Sequence, residues 1–136
     1  METTEKLTKQ EFELGLKQFR GSTQYHEHIF PGVLALKLTD GCQYIKLEAD
    51  AGWLFDTIAF YQFHRLIHPL SIQFWKLHKT TDKYLLECIP DDEWISKHKL
   101  SKGTSIVTVQ CFGKTFPLDY FDIWVQDGVA MLPSEY

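Results

Sequence analysis

The chain has 136 residues, 44% of them hydrophobic and 24% charged, a size and balance that suit one folded domain with a real core. A net charge of -4 argues against a general affinity for phosphate backbones, so nucleic acid is not an expected partner. No window approaches the roughly 18 unbroken apolar residues of a membrane helix, and a membrane role is not expected.

Aromatic residues make up 15% of the chain, with ten Phe, six Tyr and four Trp, which predicts an aromatic-rich core or binding face. Cys42, Cys88 and Cys111 are odd in number and widely spaced, and the polar start from Met1 to Gln10 carries no secretory core. The expectation is a cytoplasmic protein with reduced thiols, Cys88 and Cys111 serving as small core hydrophobes. Without repeats or linkers, residues 1–136 read as a single domain, with residues 1–7 a disordered tail.

In chain order, Thr8-Lys9-Gln10-Glu11 is a capping box that opens a helix. Phe12, Leu16 and Phe19 fall on one face of it, and Arg20-Gly21-Ser22 ends it. Tyr25 to Ile29 alternates like a short strand, Pro31-Gly32 turns the chain, and Leu34, Leu36 and Leu38 alternate with Ala35 and Lys37. Thr39-Asp40-Gly41 is a turn and a helix N-cap.

From Cys42 to Leu66 the pattern is helical, with a break near Asp50-Ala51-Gly52. Plotted as a helix from Trp53, the second piece puts Thr57, Tyr61, His64, Arg65 and His68 on one arc. Its remaining circumference is apolar, including Phe60, Phe63 and Leu66, which predicts packing on more than one side. Asp56 and Gln62 lie inside that apolar circumference. Both are therefore expected to be buried structural groups with hydrogen-bond partners.

The second half reads as strands at Ser71–His78, Tyr84–Ile89, Ser105–Phe112, Tyr120–Gln126 and Val129–Leu132. Thr80-Thr81-Asp82 predicts one hairpin, and Asp127-Gly128 predicts another with a type I′ turn. The fold class is therefore α+β, with N-terminal helices packed on a C-terminal antiparallel sheet of four to five strands. Lys97, His98, Lys99 and Lys102 read as a solvated loop within residues 91–103, and the tail Leu132-Pro133-Ser134-Glu135-Tyr136 as a lid over the sheet edge.

Alternation puts Phe121, Ile123 and Val125 inward with Val107, Val109 and Cys111. The outer side receives Tyr120, Asp122, Trp124 and Gln126, with Leu85, Glu87 and Ile89. Trp75 lies in a strand apolar on both faces and can point either way. Tyr120, Trp124 and Trp75 are the expected interaction face, for a protein partner or for self-association. Alternatively the N-terminal helix, or the 91–103 segment with Trp94, covers it.

The paired histidines carry the competing chemistry. His64 and His68 are four apart on a helical pattern, and His26 and His28 two apart on a strand, spacings that suit a transition metal such as zinc. His-Arg-Leu-Ile-His lacks the glutamate of the zinc-protease motif. No nucleophile elbow, phosphate loop or dinucleotide fingerprint is present, so no catalytic residue and no cofactor are expected. The alternative is a metal-binding protein or metal-dependent hydrolase built on the four histidines.

Several stretches carry a resemblance: Phe19-Arg20-Gly21, Gln24-Tyr25, Thr39-Asp40-Gly41 with Tyr44, and the run Trp53 to Gln62. Phe74-Trp75-Lys76-Leu77, Phe116-Pro117-Leu118, Asp127-Gly128-Val129 and Leu132 to Tyr136 complete it. The chain resembles a family of small bacterial proteins, found also on phages and plasmids, known only as a domain of unknown function. That resemblance implies one complete domain accessory to a mobile element, and transfers no catalytic residue. Where this chain has His26-Glu27-His28-Ile29, the family often has Tyr-Arg-His-Pro, which weakens the strand histidines as a shared metal site.

Overall fold

The computed structural model describes residues 8–19, 24–29 and 34–136. The expected tail over residues 1–7, the helix stop at Arg20-Gly21-Ser22 and the Pro31-Gly32 turn lie outside the described residues. Among those described, four α-helices and seven strands form an α+β fold. They run α1 (Lys9–Leu16), β1 (His26–Ile29), β2 (Leu34–Leu38), α2 (Asp40–Glu48), α3 (Gly52–Tyr61), β3 (Ile72–Lys79) and β4 (Lys83–Pro90). Then follow α4 (Asp92–Lys97), β5 (Val107–Phe112), β6 (Tyr120–Gln126), β7 (Val129–Met131) and a final 3-10 turn, Pro133–Glu135.

The sheet is larger than expected, and mixed. Its order is β1-β2-β7-β6-β3-β4-β5, and β2 pairs in parallel with β7. The expectation of four to five antiparallel strands fails because β1 and β2, between α1 and α2, join the sheet through the last strand. The remaining pairs are antiparallel. Asp127 and Gly128 have φ values of 53° and 77°, so the β6–β7 turn has the positive φ at both centres that a type I′ turn requires.

The starts of α1 and α2 follow their sequence cues. The Thr8 hydroxyl accepts from the Glu11 N–H, and the Glu11 carboxylate accepts from the Thr8 N–H. Thr39 caps α2 through the Cys42 N–H at 3.3 Å. Between α2 and α3 the chain turns through Asp50 at φ 50°, the anticipated break. α3 stops at Tyr61, so His64 and His68 lie in the turns beyond it. Phe60, within α3, and Phe63, beyond it, are 62% and 64% exposed rather than packed.

α1, α2 and α3 cover one face of the sheet. Phe12, Ile45, Leu54, Phe55 and Ile58 share a core with Trp75, Leu77, Leu86, Ile123 and Val125. Trp75 is 1% exposed and faces Tyr61 of α3 at 6.2 Å between ring centroids, so it leaves the expected interaction face. Its indole N–H donates to Gln73 Oε1 at 2.7 Å. Gln73 and Gln62 exchange two further bonds, 2.8 and 2.9 Å long, and Gln62 also donates to the Ile58 carbonyl. Gln62 is thus a satisfied, partly buried polar group, close to expectation.

The tail does not lie over an edge, because β7 is interior, with β2 and β6 on either side. Instead the Glu135 carboxylate reaches the start of α2. Its Oε1 accepts from the Thr39 hydroxyl at 2.6 Å and from the Leu132 N–H at 3.0 Å. Its Oε2 accepts from the Gly41 N–H at 3.0 Å, a favourable place for negative charge. A Cβ on Gly41 would stand 2.6 Å from both Glu135 Oε1 and Leu132 Cδ1, so glycine is what lets the tail approach.

Candidate functional site

The face of the sheet opposite α1–α3 is built from the alternate residues of β3, β4, β5 and β6. The register aligns them in rows. One row is Thr108, Glu87, Lys76 and Asp122. Beside it run Ile89, Phe74, Trp124 and Met131, and on its other side Gln110, Leu85, His78 and Tyr120. A charged row therefore lies between an aromatic row and a mixed one.

Hydrogen bonds link the polar groups. Lys76 Nζ donates to the Tyr120 hydroxyl at 2.9 Å and lies 3.4 Å from Asp122 Oδ1, and the Tyr120 O–H donates to the same Oδ1 at 3.0 Å. Glu87 Oε2 is bonded to His78 Nε2 at 2.7 Å, and Oε1 accepts from the Ser105 hydroxyl. The Ser105 bond, then desolvation working against it, then His78 and Lys76, leave the Glu87 carboxyl below its ordinary value. The bond to Tyr120, opposed by desolvation and aided by Asp122, raises the Lys76 ammonium above its own. Both groups are held in their charged forms.

The aromatic row forms a floor. Trp124 meets Phe74 edge-on at 5.1 Å and Tyr136 at 5.3 Å. α4, in a segment expected to be loop, walls one end and helps enclose a groove of about 730 Å³ over Phe74, Ile89 and Trp124. It borders this face without closing it: Tyr120 stays 50% exposed. Trp94 instead stacks on His98, ring centroids 3.7 Å apart.

Sequence reasoning placed Tyr120, Trp124, Asp122 and Glu87 here but missed Phe74, Lys76, His78 and Ser105. A signal for three of them existed. Lys76 and His78 share the parity of Phe74, which sends Gln73, Trp75 and Leu77 inward.

The histidines go elsewhere. His26 Nε2 bonds Asp40 Oδ1 at 3.0 Å, and His28 Nε2 bonds Asp56 Oδ1 at 2.8 Å. Both thus point toward the helices, as their spacing requires, and pin β1 to α2 and α3. Asp56 has the partner it was expected to need, but its side chain is 46% exposed rather than buried. His28 is the buried member, and its Nδ1 has no partner among the described residues. His64 Nδ1 accepts from the Leu66 N–H, and His68 is exposed. Among the described residues no three His, Cys, Asp or Glu side chains gather into a metal-holding group.

The described residues contain no helix long and apolar enough to cross a membrane. Over residues 10–136 the chain matches the model of a family of unknown function (DUF6876). The chain belongs to this family. No curated protein matches, and no solved structure matches. The DUF6876 match thus takes in every element described above except Lys9, the first residue of α1, and brings no activity with it.

Proposed function

We propose that this DUF6876 chain is a single-domain, non-enzymatic protein-interaction module that engages a partner protein through the outer face of its sheet. The observation that carries the reading is the one-sided covering of the sheet. Three helices bury one face, while the other presents Phe74, Tyr120 and Trp124 around a charged row. Trp and Tyr on a partly exposed surface are the residue types that dominate binding energy.

The chemistry of that row also favours binding over catalysis. The Ser105 hydroxyl donates to Glu87 and not to His78, and a carboxyl held below its ordinary value is a weak base for activating a hydroxyl. Lys76 is shifted toward its charged form, the opposite of a nucleophilic lysine. Burial pushes the thiols of Cys42, Cys88 and Cys111 up, toward the inert protonated form.

The test is affinity capture from a lysate of the source cell, quantified by mass spectrometry, with wild type against the double variant Tyr120→Ala, Trp124→Ala. Circular dichroism checks that both are folded. A protein retained by wild type and lost in the variant supports the assignment of the face. Identical capture profiles for the two folded proteins would refute it. Self-association through the same face would appear as a dimer in sedimentation that the double variant abolishes.

A further inference from the structure

We infer that the groove between α4 and β6 receives a basic segment of a protein partner, seating an arginine or lysine over Trp124; this rests on the reading of the outer face above. Three observations converge on a cation. First, carboxylates outnumber ammonium groups around the groove: Asp91, Asp92, Glu93 and Asp122 stand against Lys76 and Lys102. Lys76 is already engaged by Tyr120 and Asp122.

Second, the carboxylates keep acceptor capacity in reserve. Both bonds to Asp122 go to Oδ1, and Asp91 uses Oδ1 to cap the Trp94 N–H, so each Oδ2 has no partner among the described residues. Asp92 and Glu93 are exposed in the first turn of α4. Third, the floor is aromatic. Phe74 and Tyr136 both meet Trp124 steeply, at 85° and 71°, which fixes an indole whose face attracts a cation. A guanidinium over Trp124 would reach carboxylate oxygens on either side, a geometry for forked hydrogen bonds.

The probe is a library of 12-residue peptides displayed on phage, panned against the full chain, with enriched peptides synthesised and measured by fluorescence anisotropy. The variants are Trp124→Ala and the exposed pair Asp92→Asn, Glu93→Gln, each checked for an unchanged urea midpoint. The expected result is that enriched peptides contain Arg or Lys. Their affinity should fall about tenfold or more in the Asp92→Asn, Glu93→Gln protein, fall again in 0.5 M salt, and be lost in Trp124→Ala. Neutral or acidic peptides that still require Trp124 would overturn the basic partner and leave the face standing. Basic peptides indifferent to the α4 charges would overturn the inference alone, and peptides indifferent to Trp124 would overturn both. A library yielding no binder overturns segment docking, and the capture experiment then decides the face by itself.

Discussion

Replacing Gln73 by leucine tests whether the Gln62–Gln73–Trp75 network holds α3 to the sheet. The side chain is 5% exposed and its Oε1 accepts from both the Trp75 indole and the Gln62 amide. Leucine fills similar space and accepts nothing. Trp75 is buried, so its N–H would lose its partner with no route to water, at a cost of about 1–3 kcal/mol. Gln62 is only partly buried and keeps its bond to the Ile58 carbonyl, so its loss is smaller. Extra apolar burial offsets part of this, leaving a net destabilisation of about 2 kcal/mol. For a domain of this size that corresponds to a fall in Tm of roughly 6 °C. Urea unfolding followed by tryptophan fluorescence measures it, and Gln62→Ala with the double variant should show a coupling above about 0.5 kcal/mol. A Gln73→Leu protein within about 0.5 kcal/mol of wild type would refute the argument.

Glu87 makes a pH prediction. Its folded value is lowered, so its contribution is fully present above the ordinary glutamate value of about 4.3 and is lost as pH falls through the folded value. Wild type should therefore lose more stability than Glu87→Gln over that acid window, and parallel curves from pH 6 to 3 would contradict it. Gly41→Ala should displace Glu135 and Leu132 and cost about 1–3 kcal/mol, a value that thermal melts equal to wild type would exclude. Asp56→Ala removes the partner of the buried His28 ring and should cost about 1–2 kcal/mol by urea unfolding, and an unchanged midpoint would show the pair to be idle.

The strands from Ile72 onward were legible because alternation is a local signal and the Asp127-Gly128 turn is specific. Their observed bounds fall within a residue or two of the expected ones. The pairing of β2 with β7 was not legible, because Lys37 and Val129 meet across the chain and neither carries a local mark of the other. α4 is only six residues long, too short to show a helical period. On α3, the apolar run suggested a buried cylinder, yet the helix ends at Tyr61 and leaves Phe60 and Phe63 facing outward. The outer face was half legible: Tyr120, Trp124 and Glu87 followed from alternation. Its bonding did not, since Ser105 reaches Glu87 from the stretch before β5.

The position of β7 sets an order on biosynthesis. Residues 129–131 are the three-residue strand that joins the β1–β2 pair to the block of β6, β3, β4 and β5. A ribosome delivers that strand last. Until it arrives, β2 and β6 each present an unpaired edge, the kind of surface that recruits other chains. A chain lacking residues 129–131 would carry nearly the whole core composition and still have no strand between its two parts. The sheet therefore closes only when residues 129–131 have joined its two parts.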